Sequence, residues 1–243
     1  MSVIYEPKGR ALEYSELACN LYLGCSHGCT YCFAPGCMKT THENWHDNPH
    51  GRSGVIEAFR REARRMADAG DKRPILFSFL SDPYQPLEGK EHLTRQALEI
   101  VGHYGLNSKI LTKGLPDYIE PDLELMKQVG TKLGITLSFS DDNSRKEWEP
   151  EAASVNERLN LLRKAHDVGI STWVSMEPVI IPDEALEVLM LAMPYVDAWK
   201  IGKINHYPEI EKNVDWLAFR EKAKDILEKA KANYYLKRSL TDL

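Results

Sequence analysis

Past residue 37 the chain contains no cysteine, although five occur up to that point. A secreted disulfide framework spreads its cysteines to staple distant loops, so this distribution excludes one. Also missing is any apolar run near the ~20 residues that a membrane-spanning helix requires. The opening residues MSVIYEPKGR have neither the apolar core nor the cleavage site of a secretory signal. There is no excess of positive charge: the net charge is −5, so nothing global marks a nucleic-acid binder. No Gly/Ser/Pro-rich linker or low-complexity tract divides the chain. Its 243 residues, 43% of them apolar, suffice for one continuous core and read as a single domain over residues 1–243. The expectation is a cytoplasmic protein with no membrane contact.

What is present is an alternation of strand-like and helix-like segments. Strands are expected at Ala18–Leu23, Pro74–Leu80, Ser108–Thr112, Lys132–Phe139, Ser171–Met176 and Ala198–Ile204. Helices are expected at Gly54–Ala69, Thr94–Tyr104, Asp122–Val129, Val155–Val168, Glu184–Ala192 and a C-terminal one at about 217–232. Ile56, Phe59, Ala63 and Met66 recur at steps of three and four and form one apolar stripe, with Arg60, Arg61, Arg64 and Arg65 on the other side. Ser154 and Glu157 have the spacing of a capping box. Gly70, Gly105, Gly130 and Gly169 are helix stops shortly before the next strand. Six strand–helix units with short connections require a parallel sheet, either a barrel or a doubly wound sheet. In both, functional groups belong at the carboxyl ends of the strands. The stretches Cys32–Arg52 and Asp141–Ala153 read as irregular.

Cys25, Cys29 and Cys32 stand at C-x3-C-x2-C spacing directly after the first strand, in a loop spanning residues 24–37. Three thiolates on one tight loop suit three corners of an iron–sulfur cube and leave one iron open for a ligand. Gly24 and Gly28 let the backbone wrap closely. The alternative is a structural zinc site, which needs a fourth ligand such as Cys19, Cys37, His27 or His42. Cys19 and Cys37 otherwise read as incidental thiols.

With Tyr31 just before the third cysteine, this motif resembles that of the radical S-adenosylmethionine (radical SAM) superfamily. The resemblance implies a partial (β/α)6 TIM-like barrel, a [4Fe–4S] cluster on Cys25, Cys29 and Cys32, and S-adenosyl-L-methionine chelating the open iron. It further implies a 5′-deoxyadenosyl radical that abstracts a substrate hydrogen, and an electron donor such as flavodoxin or ferredoxin. Phe79-Leu-Ser-Asp-Pro-Tyr-Gln-Pro-Leu-Glu88, Thr112-Lys113 and Thr136-Leu-Ser138 are similar to segments of its spore photoproduct lyase-like branch. By carry-over Tyr31, Ser81, Lys113 and Ser138 are candidate contacts to S-adenosylmethionine, with Ser140 competing with Ser138. An ammonium and hydroxyls at strand ends suit a ligand bearing a carboxylate and hydroxyls.

Arg158 is either a partner of the cofactor carboxylate or a solvated helix residue. Glu177, Lys200, Lys203, Asn205 and His206 are candidates for the substrate mouth. His42, His46 and His50, with Trp45 among them, suggest a lid or binding loop, or a second metal site. A nucleic-acid substrate follows only from the family analogy; Arg60–Arg65 and the Lys-rich tail add weak support. The lyase carries a hydrogen-donating cysteine two residues before the serine matched by Ser81, and here that position is Phe79. Cys37 can replace it only if the post-cluster loop folds back over the site. The rival reading is a non-catalytic iron–sulfur or zinc module serving electron transfer or scaffolding.

Overall fold

The computed structural model describes residues 2–243. Its strands are β1 (Ile4–Tyr5), β2 (Leu17–Cys19), β3 (Tyr22–Leu23), β4 (His50–Gly51), β5 (Ile75–Phe77), β6 (Ser108–Thr112), β7 (Lys132–Thr136), β8 (Thr172–Val179), β9 (Ala198–Lys203) and β10 (Tyr234–Leu236). Its helices in the first half are α1 (Ala34–Met38), α2 (His42–Asp47), α3 (Val55–Asp68), α4 (Glu88–Glu91), α5 (Leu93–His103), α6 (Pro116–Ile119) and α7 (Leu123–Val129). The second half adds α8 (Asp142–Trp148), α9 (Val155–Asp167), α10 (Pro182–Ala192), α11 (Pro208–Asn213), α12 (Trp216–Lys229) and α13 (Arg238–Thr241).

Eight strands form one sheet in the order β1-β2-β5-β6-β7-β8-β9-β10. Every pairing in it is parallel except β1 with β2. Spatial order follows chain order with no reversal, which excludes a doubly wound sheet and leaves the partial barrel. Both faces are covered, so the strands are continuous apolar runs: Ile75, Leu76 and Phe77 are all fully buried. Helices α3, α5, α9, α10 and α12 each turn one stripe to that sheet, and Phe59, Leu98, Leu161, Leu189 and Phe219 lie in the shared core. The capping box of Ser154 and Glu157 opens α9, and the four expected glycine stops all have positive φ. Arg60, Arg61, Arg64 and Arg65 form an exposed face of α3.

Four local expectations are corrected. The first strand is broken at Asn20, whose side chain accepts from the Leu80 N–H at 2.9 Å and donates to the Tyr5 hydroxyl at 2.8 Å. Beyond it, β3 leaves the sheet and pairs antiparallel with β4. The stretch Cys32–Arg52 is not irregular but carries α1, α2 and β4, and Asp141–Ala153 carries α8. The C-terminal helix ends at Lys229, and the tail beyond it adds β10 beside β9.

The connection from β1 to β2 shapes the molecule. It leaves and rejoins the sheet at one edge, yet its middle reaches the other. Glu13 accepts from the Tyr235 hydroxyl at 3.1 Å and the Arg238 N–H at 2.8 Å, and the Arg10 guanidinium donates to Asn205. Lys109 and Lys200 both donate to the Tyr14 carbonyl, at 3.0 and 3.2 Å. The segment is a strap across the open seam of the barrel. Among the described residues no helix is long and apolar enough to cross a membrane.

Candidate functional site

The cysteine loop follows β3 and is fixed by backbone contacts on three sides. The Cys25 N–H donates to the Trp45 carbonyl at 3.2 Å, Thr30 N–H to Trp148 at 3.0 Å, and the His27 carbonyl accepts from Glu151 at 3.1 Å. Gln85, fully buried, donates to the Gly24 carbonyl at 3.1 Å and accepts from Ser26 N–H at 3.2 Å. Gly24 has φ +78°, and a Cβ there would lie 2.7 Å from Pro49 Cα, so no other residue fits. Cys25 and Cys29 are buried and Cys32 half-buried; all five cysteines are free thiols.

Burial pushes the Cys25 and Cys32 thiols up and the Cys29 thiol up to about 12. No three His, Cys, Asp or Glu side chains among the described residues converge as ligands of a single ion would. Three free thiols on one loop can hold three irons of a cubane cluster. Cys19 lies in the core of β2 and Cys37 is exposed.

Beside the loop opens a cavity of about 860 Å3 at the carboxyl ends of the strands, lined by Tyr31, Cys32, Phe79, Lys113, Thr136 and Glu177 among others. Two of the four proposed cofactor contacts, Tyr31 and Lys113, are on its wall. Lys113 sits with its ammonium 5.6 Å from the centre of the Tyr31 ring and pairs with no carboxylate among the described residues. Burial acts to lower its pKa, but Cys29, Glu149 and Asp82 outweigh that and hold it raised. The Tyr31 hydroxyl donates to Glu149, fixing the ring between the second and third cysteines.

Ser81 is buried and donates to the Tyr22 carbonyl at 2.9 Å, and it does not line the cavity. Ser138 is buried with no hydrogen-bond partner for its hydroxyl among the described residues, and Thr136 rather than Ser138 reaches the cavity wall. The Ser140 hydroxyl donates to Glu187 at 2.6 Å. Arg158 is neither a solvated residue nor turned to the cavity. It is 1% exposed, contacts Glu149 at 2.6 Å and donates to the Ala153 and Thr136 carbonyls at 2.8 and 3.0 Å.

Of the residues expected at the mouth, Glu177, Asn205 and His206 line the cavity. Lys203 pairs with Glu211 at 3.1 Å and Lys200 caps the strap. Residues that the motifs left without a role also take part. Asp82 accepts from the Thr112 hydroxyl at 2.6 Å and from the Lys113 and Tyr84 N–H groups at 2.7 and 2.8 Å, with His27 at 3.3 Å. Burial acts to raise its pKa, but His27 and these donors hold it at about 2. Tyr14, from the strap, donates to Glu177 and lies 2.8 Å from the Ser175 hydroxyl, with the Lys237 ammonium 4.2 Å above its ring. Nothing near Tyr14 or Lys237 in the sequence signals this. Asp82 and Gln85 stand in the Phe79–Glu88 segment, where their polar side chains at a strand end are the available signal.

The donor set fits an iron–sulfur cluster with one open corner: three free thiols on a preformed loop, one at the cavity edge, and an unpaired ammonium across from it. A family model described as the Radical SAM superfamily matches residues 19–192. An uncharacterized protein of Methanocaldococcus jannaschii is 30% identical over 166 residues, covering 68% of this chain and 60% of that protein. An uncharacterized protein of Mycobacterium tuberculosis is 28% identical over 186 residues, covering 72% of this chain and 52% of its own length. The chain thus spans between half and two thirds of the curated relatives it matches. In structure it is similar to a spore photoproduct lyase mutant with bound AdoMet and dinucleoside spore photoproduct, with a TM-score of 0.70 at 14% identity over 96% of this chain and 78% of that one. It is also similar to SuiB of Streptococcus suis bound to S-adenosylmethionine, with a TM-score of 0.66 at 14% identity over 90% of this chain and 49% of that one. At these identities the likeness is one of fold.

Proposed function

The chain belongs to the radical SAM superfamily, and from that membership we propose that it is an enzyme that cleaves S-adenosylmethionine reductively at a [4Fe–4S] cluster held by Cys25, Cys29 and Cys32. With both groups bound, their chemistry supplies a 5′-deoxyadenosyl radical that takes a hydrogen atom from the substrate. The observation that carries this reading is that Cys32 and the unpaired Lys113 face one cavity of about 860 Å3. A module for electron transfer or scaffolding alone has no use for such a chamber beside its metal.

The chain's own residues orient and enclose. Lys113 offers its ammonium to a carboxylate, and Asp82, by accepting the Lys113 N–H, fixes the backbone from which that side chain extends. Glu149 holds the Tyr31 ring beside the third cysteine. Tyr14 and the strap form one wall of the chamber. Ser81 would act indirectly, by supporting β3 through the Tyr22 carbonyl. A one-electron carrier such as flavodoxin or ferredoxin, in the cytoplasm, completes the proposal.

The decisive experiment is anaerobic cluster reconstitution, then reductant and S-adenosylmethionine, with assay for 5′-deoxyadenosine. Formation that depends on the cluster supports the reading, and a loaded, reduced protein that forms none sinks it.

The substrate class is open to a sharper test. Phe79 occupies the β5 end where the lyase branch carries its donor cysteine, and it packs edge-on against Tyr14 at 5.8 Å. Cys37 lines the same cavity, so a thiol is present from the post-cluster loop instead. Offered the spore photoproduct thymine dimer, the protein is expected to form deoxyadenosine without clean repair. Multiple-turnover reversal that disappears in Cys37→Ala would overturn this and make Cys37 the donor.

A further inference from the structure

Three histidines were candidates for a lid or a second metal site, and the structure gives two of them another task. His42 and His46 stand one helical turn apart on α2, on the same face. That face turns away from the cavity and onto the back of the cysteine loop. His42 Nε2 lies 3.0 Å from the Cys29 carbonyl oxygen. His46 Nδ1 meets the Cys25 carbonyl oxygen, and the two rings are 4.2 Å apart. His50 is exposed and its Nδ1 lies 3.0 Å from the Asn48 carbonyl.

A carbonyl accepts and never donates, so each contacting nitrogen carries the proton: Nε2–H on His42 and Nδ1–H on His46. The other nitrogen of His46 is buried without a partner among the described residues, and the Cys25 carbonyl is the polar group that holds this ring. Between the histidines, Trp45 is buried and its own carbonyl accepts the Cys25 N–H. Helix and loop are pressed together at Gly24, where a Cβ would come within 2.8 Å of the Trp45 oxygen. Cys25 is therefore gripped at both its N–H and its carbonyl, and Cys29 at its carbonyl, all from one short helix. Neither His42 nor His46 lines the cavity, so substrate is not what they serve.

We propose that His42 and His46 are positioning residues for the cluster, acting through the peptide groups of two ligand cysteines. This rests on the reading of Cys25, Cys29 and Cys32 as cluster ligands. Donation into the two carbonyls holds the thiols in a binding-ready arrangement and draws electron density from the peptides next to the sulfurs. Donors placed around a cluster favour its reduced, more negative state, and outer-shell partners of this kind set affinity as well as potential.

The test compares wild type with His42→Ala, His46→Ala, His42→Gln and His46→Asn after anaerobic reconstitution. Glutamine places an amide donor near the position of Nε2, and asparagine near that of Nδ1. The readouts are the midpoint potential by spectroscopically monitored redox titration and the rate at which a chelator strips iron. Each alanine variant is expected to show a more negative potential and roughly tenfold faster iron loss, while the amide variants restore both. A folded alanine variant with wild-type potential and release rate would overturn the proposal, as would an amide variant no better than alanine. Should an alanine variant fail to fold, His42→Leu or His46→Leu, which fill the space without a donor, are read in the same way. Wild-type protein that takes up no cluster would overturn the reading of the three cysteines, and this inference with it.

Discussion

Arg158 Nη2 lies 2.6 Å from Glu149 Oε2 with both side chains 1% exposed, deep behind the wall that carries Tyr31. Burial acts against the Glu149 carboxylate, yet Arg158 and Lys113 hold its pKa below the usual range. Removing one partner leaves an uncompensated buried charge, at a cost of about 3–5 kcal/mol. Glu149→Gln is therefore expected to lose that much stability in urea unfolding. Replacing both partners, as in Glu149→Gln with Arg158→Met, is expected to lose less. A single variant as stable as wild type would show that the pair does not close behind Tyr31.

The cysteine assignment separates the five thiols. Cys25→Ala, Cys29→Ala and Cys32→Ala are each expected to abolish the visible absorbance of the reconstituted protein, since only three protein thiolates are available. Cys37→Ala, on the exposed turn of α1, and Cys19→Ala, in the core of β2, leave a brown protein. Uniform behaviour of all five would refute the triad.

Lys113→Ala is expected to weaken S-adenosylmethionine binding without loss of the cluster. A lost charge-assisted hydrogen bond costs about 1.5–3 kcal/mol, or roughly ten- to a hundredfold in affinity. Calorimetric titration decides it: wild-type affinity removes Lys113 from the binding site.

The strap carries a pH signal. Burial, then Lys109 and Lys237, lower Lys200 from the ordinary 10.5 to about 8, although Glu13 and Glu177 oppose the shift. Between those two values the unfolded chain keeps the Lys200 proton and the folded one has released it. Stability attributable to this residue therefore rises with pH across that window. The difference in unfolding free energy between wild type and Lys200→Met should climb from pH 8 towards 10.5. A flat difference curve would show that Lys200 titrates normally.

Much of this architecture was legible in order of chain because it rests on local pattern. The apolar stripe of α3, the Ser154–Glu157 cap and the run Ser108–Thr112 each encode their element within a few residues. The cysteine loop was legible for the same reason. Arg158 was not, because a helical arginine looks alike whether water or Glu149 receives it, and Glu149 lies in a segment that read as irregular. Asn20 hid a strand break because its partners, Tyr5 and Leu80, come from elsewhere in the chain. Tyr14 and Lys237 meet at Glu177 from opposite ends of the sequence, and no spacing rule connects them.

The strap also fixes an order of events in the life of the chain. Its contacts from Glu13 to Tyr235 and to Arg238 join residues 222 and 225 positions apart. Contacts so distant in sequence carry a high loop-closure entropy and form late in folding. By contrast, β5 and β6 pair through residues as near in sequence as Ile75 and Ser108. The sheet can therefore pair before the strap is drawn across it. Closure of the strap is thus a late event in folding, and it adds Lys8, Arg10, Ala11 and Tyr14 to the wall of a cavity whose other sides the barrel has already built.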